Sequence, residues 1–180
     1  YSTWVKWAEP TAEAIRQACL AKESRISQIL PEIPQVFIES IDVTASKFLG
    51  SFTLNFNEQY NALIGGRGTG KSTILEYVRW GLCDQTVKTG NYEELDIIQK
   101  RRDTLINKTL TAAGGEVRIT MLKNNVKHIV KRDSSSREIL LKIGEGDFQR
   151  VSEEDIRKVL PIQSYSQKQL SDVGVKTEEL

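Results

Sequence analysis

The sequence predicts an α/β domain built around a glycine-rich loop, and three consecutive segments support this prediction. The apolar run at residues 60–64 is typical of a buried strand, and residues 73–80 have the apolar periodicity of an amphipathic helix. The segment between them fits the phosphate-loop (Walker A) pattern G-x-x-x-x-G-K-[S/T]. Strand, glycine loop and helix in this order are the context that the motif requires, so we predict a P-loop fold that binds a nucleoside triphosphate.

Each residue type in the loop suits the binding of phosphate. Glycines allow tight turns and leave the backbone N–H groups open to the phosphate oxygens. Lys71 is predicted to reach the β- and γ-phosphates and to act in catalysis, and Ser72 to offer its hydroxyl to Mg²⁺. Arg67 is not fixed by the motif and is left open between phosphate and a partner chain. The predicted ATP contacts are Gly65, Gly66, Arg67, Gly68, Thr69, Gly70, Lys71, Ser72 and Thr73.

Composition limits the class of protein. A chain of 180 residues suits one domain, or one domain with an appendage. The net charge of +1 gives no general attraction to nucleic acid or to a membrane surface. No apolar run is long enough to span a bilayer, so no membrane partner is expected. Cys19 and Cys83 form no metal-binding pair, and we expect two buried thiols in a reducing, cytoplasmic compartment.

The chain is expected to divide near residue 35. Residues 1–35 are predicted as a helical tail or linker of a preceding domain, with Thr11 as a helix N-cap and Pro31 and Pro34 ending the unit. In residues 36–180, strands are predicted at 36–43, 47–56, 60–64 and 162–165, and helices at 71–83, 92–113 and from Ser152 to Pro161. Three short strands at 116–122, 126–132 and 138–143 predict an antiparallel meander.

Motifs for hydrolysis are missing from the sequence. The GTPase motif N-K-x-D is absent, since Asn107 and Lys108 are followed by Thr109 and Leu110. No apolar run ending in Asp or Glu, the segment that binds Mg²⁺ in most ATPases, follows residue 72. The sequence therefore predicts nucleotide binding without the residues for cleavage.

The order of elements resembles the first lobe of an ABC-type ATPase head, with the SMC, RecF and RecN-like proteins as the nearest group. The resemblance implies an α/β P-loop NTPase fold of the ABC/SMC N-terminal-lobe type, with a mixed sheet and an antiparallel meander. Residues 164–167, Ser-Tyr-Ser-Gln, resemble the Q-loop of that family. By resemblance Gln167 contacts Mg²⁺ and senses the γ-phosphate; the competing interpretation is a surface glutamine at a strand end.

The opening segment resembles the junction of the TrlF-like ATPases, in which a PHP-type phosphoesterase domain precedes an SMC-like ATPase. The residues that support this are 4–11 (WVKWAEPT), 14–18 (AIRQA) and 23–26 (ESRI). The resemblance implies bacterial defence against phage and an attached nuclease effector. It assigns residues 1–35 to the end of a PHP domain and 36–180 to an incomplete N-terminal lobe.

Further residues are left open between binding and structural roles. Lys47 and Phe48 lie where related heads contact adenine or ribose, but core packing for Phe48 and solvent exposure for Lys47 also fit. The basic residues of the meander either line a DNA or RNA path or form a solvated sheet face, and the second is favoured. They are Lys123, Lys127, Lys131, Arg132 and Arg137. The same is expected of residues 100–102. His128, the only histidine, is interpreted as a strand residue and not as a ligand.

Taken together, the sequence predicts an ATP·Mg²⁺-binding lobe that hydrolyses ATP only in a complete, dimerised head. The heads are expected to form a homodimer or higher oligomer and to control a nuclease or DNA-processing activity in phage defence or repair. Two alternatives remain: an ATP-dependent oligomerisation module with little turnover, and a nucleotide kinase-like domain. The second requires an acceptor site and an arginine-rich lid, which the meander does not supply convincingly.

Overall fold

The computed structural model describes residues 3–7, 9–29, 32, 34–84 and 92–165, and the chain divides into two compact units. The first unit is Tyr1–Pro34 and the second is Gln35–Leu180. Among the described residues, no helix is long and apolar enough to cross a bilayer.

The first unit contains two helices and a two-stranded antiparallel ribbon. The Thr11 hydroxyl accepts a hydrogen bond of 3.1 Å from the Ala14 N–H, which confirms the predicted N-cap. Ala18 is buried, whereas Cys19 is exposed, so the prediction of a buried thiol there was wrong. Its elements are β1 (Trp4–Val5), α1 (Ala12–Leu20), α2 (Lys22–Arg25) and β2 (Ile26–Ser27), with β1 paired to β2.

The second unit is built on a six-stranded sheet that is antiparallel throughout its described residues. The strand order is β4-β3-β5-β6-β7-β8, so the predicted meander, β5 to β7, is confirmed and occupies the middle of the sheet. Asn124 and Asn125 both have positive φ, as a tight hairpin turn between β5 and β6 requires. The strands are β3 (Val36–Val43), β4 (Phe52–Asn55), β5 (Glu116–Lys123), β6 (Val126–Asp133), β7 (Ile139–Ile143) and β8 (Gln149–Arg150).

Helices cover one face of this sheet and bury its apolar side chains. Alternate residues of the central strands point into the core, including Ile119 and Val130, which are 0% and 1% exposed. Tyr77 and Trp80 fill the same core from the helix that follows the glycine loop. The helices are α3 (Lys71–Gly81), α4 (Tyr92–Thr109), a 3₁₀ turn (Thr111–Ala113) and α5 (Glu153–Val159).

The helix ends follow the sequence signals. Gly114 adopts φ 62°, which ends the second helical stretch as predicted. Ser152 and Asp155 form a reciprocal capping box at the start of α5, and its acidic first turn suits the helix dipole. The α/β class and the helix positions are therefore set by local patterns.

The strand predicted at residues 60–64 is not formed. Tyr60 and Ile64 are 85% and 93% exposed, and Asn57 and Asn61 instead close a turn through side-chain and backbone hydrogen bonds. No described strand pairs with this segment. The sheet has its edge at β4, which ends at Asn55. Residues 162–165 also form no strand, and the start of the predicted 47–56 strand is a turn.

Gly115 places the second helical stretch close to the turn after β3. A Cβ atom added at Gly115 would overlap the Ala45 carbonyl oxygen, a backbone atom that cannot move aside easily. We predict that Gly115→Ala lowers the free energy of unfolding by about 1–3 kcal/mol, as overpacking does. Urea unfolding of the full chain measures this.

Gly146→Ala is the matched control, because an added Cβ there would lie 3.2 Å from its nearest neighbour, the Ile143 carbonyl oxygen. Its cost should stay below about 1 kcal/mol. Equal losses for the two variants would contradict the packing described for Gly115.

Candidate nucleotide-binding site

The glycine loop leads directly into α3, and Gly70 forms the junction. Gly70 is the N-cap of α3 and adopts φ 91°, a left-handed conformation that favours glycine. It is buried, and a Cβ atom there would lie 2.5 Å from Leu49 Cδ2 and 3.4 Å from Phe48 Cε1. The backbone angle therefore favours glycine at the sixth position of the motif, and a side chain there would in addition have to displace the end of the Leu49 side chain.

Lys71 lies across the loop. Its Nζ donates hydrogen bonds to the carbonyl oxygens of Gly65, at 2.7 Å, and Gly66, at 2.5 Å. The Thr69 hydroxyl donates to the Gly66 carbonyl at 3.0 Å. These contacts hold the ammonium group at the opening of the loop, where a phosphate group would find a positive charge.

The first turn of α3 supplies the remaining groups of the motif. Ser72 is exposed at the surface of this turn, whereas Thr73 is 8% exposed and points toward the interior. Arg67 is exposed within the loop. The first turn of α3 contains no acidic residue, which suits an anion at this positive helix end.

A buried hydrogen bond fixes the turn that supports the loop. Ser46 Oγ lies 2.8 Å from the hydroxyl of Tyr77, a fully buried residue of α3. The same oxygen accepts from the backbone N–H groups of Phe48, at 3.3 Å, and Leu49, at 3.1 Å. The turn, the loop and the helix are therefore one connected assembly. Sequence reasoning missed Ser46 and Tyr77, since no short motif marks a contact across 31 residues.

The structure places both predicted base-contacting residues near the loop. Phe48 is 54% exposed, which excludes core packing for its ring, and Lys47 is exposed beside it. The two residues line an open cavity of about 580 Å³. Its other lining residues are Asn107, Lys108, Thr109 and Ala112. Contact with adenine or ribose stays a prediction.

Gln167 lies outside the described residues, but the segment before it is anchored to α3. The Ser164 hydroxyl donates to Asp84 Oδ2. The same carboxylate oxygen accepts from Arg79 Nε at 3.0 Å and from Arg102 Nη2 at 3.4 Å. Glu76 contacts both arginines: its Oε1 accepts from Arg79 Nη1 at 2.8 Å, and its Oε2 accepts from Arg102 Nε at 2.9 Å. A buried ionic cluster thus joins α3, α4 and the segment at 161–165.

Burial corrects two predictions about basic residues. Arg102 is 4% exposed and Arg132 is 6% exposed, so neither belongs to a solvated face. The Arg132 guanidinium lies 4.4 Å from the centre of the Trp80 ring and donates to the Trp80 carbonyl at 2.6 Å. The other meander cations contact protein groups: Lys123 with Val159, Lys127 with Glu39, Lys131 with Glu116 and Phe148, and Arg137 with Asn107.

Cys83 and His128 are both buried in the second unit. Burial raises the pKa of the Cys83 thiol to about 11, although the nearby Arg132 opposes this shift, so the predicted buried thiol is confirmed at this position. His128 is buried, with its Nδ1 2.9 Å from the Val126 carbonyl oxygen. In the described ranges, no three His, Cys, Asp or Glu residues come close enough to hold a metal ion. A Mg²⁺ ion at Ser72 fits this arrangement, because Mg²⁺ keeps several waters and takes few protein ligands when it binds with phosphates.

Three comparisons with known proteins give matches. The model of the AAA_23 family, described as an AAA domain, matches residues 45–179. Chromosome partition protein Smc of Halothermothrix orenii is 34% identical over 55 residues, which are 30% of this chain. The match covers 5% of that protein's length. A solved structure from work on ATP-driven dimerization and DNA-stimulated activation of SMC ATPases is 16% identical, with a TM-score of 0.44. That similarity covers 69% of this chain and 77% of the other.

Asp84 is the centre of the buried cluster, with a side chain only 1% exposed. We predict that Asp84→Asn lowers the free energy of unfolding by about 3 kcal/mol, because Arg79 and Arg102 would lose a buried counter-charge. Denaturant unfolding of the full chain measures the loss.

The matched variant is Asp147→Asn, since Asp147 is an exposed residue of the same type. A change within about 0.5 kcal/mol is expected for it. If Asp84→Asn behaved like Asp147→Asn, the cluster would not stabilise the lobe.

Proposed function

The chain belongs to the AAA_23 family of AAA domains, and from this premise we propose that it is the ATP·Mg²⁺-binding first lobe of an SMC-like ATPase head. The observation that carries the proposal is the position of Lys71, whose ammonium group is held at the loop by the Gly65 and Gly66 carbonyls. Gly70 supports it, since its left-handed backbone conformation favours glycine at the helix start.

The proposed roles follow from these positions. The backbone N–H groups of the loop and of the first turn of α3 bind the phosphate oxygens, and Lys71 neutralises charge at the β- and γ-phosphates. Ser72 holds Mg²⁺ through its hydroxyl, and the metal supplies neutralisation of the phosphate charge. Gln167 is proposed as a second contact to Mg²⁺, and Lys47 and Phe48 as contacts to the base or ribose.

Hydrolysis is proposed to need groups from outside this lobe. Glu76 is the first carboxylate after the loop, and both of its oxygens are bound, to Arg79 and to Arg102. A carboxylate held in this way does not position a water molecule at the γ-phosphate. We therefore propose that a second lobe and a second head complete the site, and that this lobe alone turns over little ATP.

Exposed apolar residues beside the loop support an incomplete domain. Ile64 is 93% exposed immediately before the motif, and Leu75 on α3 is 55% exposed. Leu75 also lines a groove of about 930 Å³ between β3, α3 and residues 161–165. The groove is lined mainly by apolar residues, and apolar surface of this kind marks an interaction site in soluble proteins; further chain of the head is the proposed cover.

The wider role is proposed from resemblance. The similarity to a chromosome partition protein favours a head that works on DNA. The TrlF-like opening segment favours control of a nuclease, with residues 1–35 as the end of a PHP domain, in defence against phage or in repair. Dimerisation through the heads belongs to the same proposal.

Lys71→Ala tests the proposed function directly. We predict that it weakens ATP·Mg²⁺ binding by the intact protein roughly a hundredfold, since hydrogen bonds to charged groups contribute about 1.5–3 kcal/mol each. Isothermal titration with a non-hydrolysable ATP analogue and Mg²⁺ measures the affinity.

Lys127→Ala is the control, because Lys127 is an exposed lysine of β6 paired with Glu39 at 3.1 Å on the surface. Its affinity should match that of the unaltered protein. Unchanged affinity in Lys71→Ala would remove the basis of the nucleotide-site assignment.

A further inference from the structure

We propose that the second unit holds a separate binding site for a phosphate-class oxyanion, in an arginine-lined cavity at the C-terminal end of α3. This cavity, called the arginine cavity below, has a volume of about 330 Å³. Its lining includes Trp80 and four arginines, Arg102, Arg132, Arg137 and Arg157. Because α3 has 11 residues, its two ends are roughly 16 Å apart, so the glycine loop does not reach this site.

Buried hydrogen-bond donors without a partner are the first observation for a ligand. Arg132 is 6% exposed, and its Nε is buried with no hydrogen-bond acceptor. Trp80 is 3% exposed, and its indole Nε1 is likewise buried and unpaired. Buried donors are paired in most folded proteins, and an orphan in a cavity wall indicates a missing acceptor. Both residues line the arginine cavity.

The charge of the wall is the second observation. Four arginines face three carboxylates, an excess of one positive charge. Of the three, Asp84, Asp103 and Glu153, Glu153 binds Arg132 and Arg157, and Asp84 binds Arg102 through Oδ2, while its Oδ1 is buried without a donor. Planar guanidinium groups match the oxygens of phosphate better than ammonium groups do. The arginine donors therefore favour an oxyanion, and one that still carries a proton, such as hydrogen phosphate, can also donate to Asp84 Oδ1.

Arg137 is the residue that distinguishes ligand binding from a purely structural role. It is exposed, and its Nη2 donates one hydrogen bond of 2.8 Å to Asn107 Oδ1. It lines both the arginine cavity and an adjoining open cavity next to Glu138 and Arg150. Its guanidinium is thus available at the entrance, and its removal leaves the buried contacts of Arg132 in place.

Fluorescence of Trp80 provides the test. The chain has three tryptophans, and Trp4→Phe with Trp7→Phe leaves Trp80 alone. Lys71→Ala is added so that the glycine loop does not contribute. The 180-residue chain with these changes is titrated with inorganic phosphate, and separately with ADP, against sodium chloride of matched ionic strength.

We expect a saturable change of Trp80 fluorescence with phosphate that chloride does not produce. Arg137→Ala should raise the half-saturating concentration about tenfold or more, because it removes one charged hydrogen-bond donor. Arg118→Ala, at an exposed arginine of β5 outside the cavity, should leave it unchanged. A response to ADP but not to phosphate would assign the oxyanion to a nucleotide. No saturable response to either anion, or equal effects of the two arginine variants, would overturn the proposal.

The test is independent of the nucleotide-binding proposal. Lys71→Ala is present in every sample, so a failed glycine loop does not alter the outcome. Conversely, the ATP titration of Lys71→Ala alone tests the glycine loop at the other end of α3. Its outcome does not depend on whether the arginine cavity binds phosphate.

Discussion

The close approach of the Gly70 backbone to the turn at residues 46–49 is the constraint on which the site depends. It brings Leu49 and Phe48 against the helix start, where a Cβ atom on Gly70 would lie 2.5 Å from the end of the Leu49 side chain. The buried Ser46–Tyr77 hydrogen bond keeps the turn in this position. Since Tyr77 is part of the central core, the geometry of the loop is set by the packing of α3 on the sheet.

The two ends of α3 have different chemical environments. Its N-terminal end is capped by Gly70, has no acidic residue in the first turn and exposes Ser72. Its C-terminal end lies among buried charges, where Asp84 joins Arg79, Arg102 and Ser164. Through Ser164 the ionic cluster anchors the segment that leads toward Gln167. The helix therefore contacts the phosphate loop at one end and the segment at 161–165 at the other.

Local signals predicted most of the fold. The motif specified the start of α3, Thr11 and Ser152 specified helix caps, and strand alternation specified the meander. The strand at 60–64 failed because an apolar run becomes a strand only when a neighbour pairs with it. None of the described strands does so.

The buried charges were not predictable from the sequence for a related reason. Arg102 and Arg132 look like surface residues, because a charge pattern does not show which arginine will meet a buried partner. Asp84 lies 18 positions from Arg102 and 80 from Ser164, so their meeting depends on the tertiary fold. The glycine loop, by contrast, was predictable because its chemistry lies within eight consecutive residues.

A crystal structure of the chain with Mg²⁺ and a non-hydrolysable ATP analogue tests the central claim most directly. The account predicts that the β- and γ-phosphates lie in the loop at residues 65–72, bonded to Lys71 Nζ and to backbone N–H groups, with Ser72 Oγ on the metal. An analogue bound elsewhere, with Lys71 still held only by the Gly65 and Gly66 carbonyls, would contradict it.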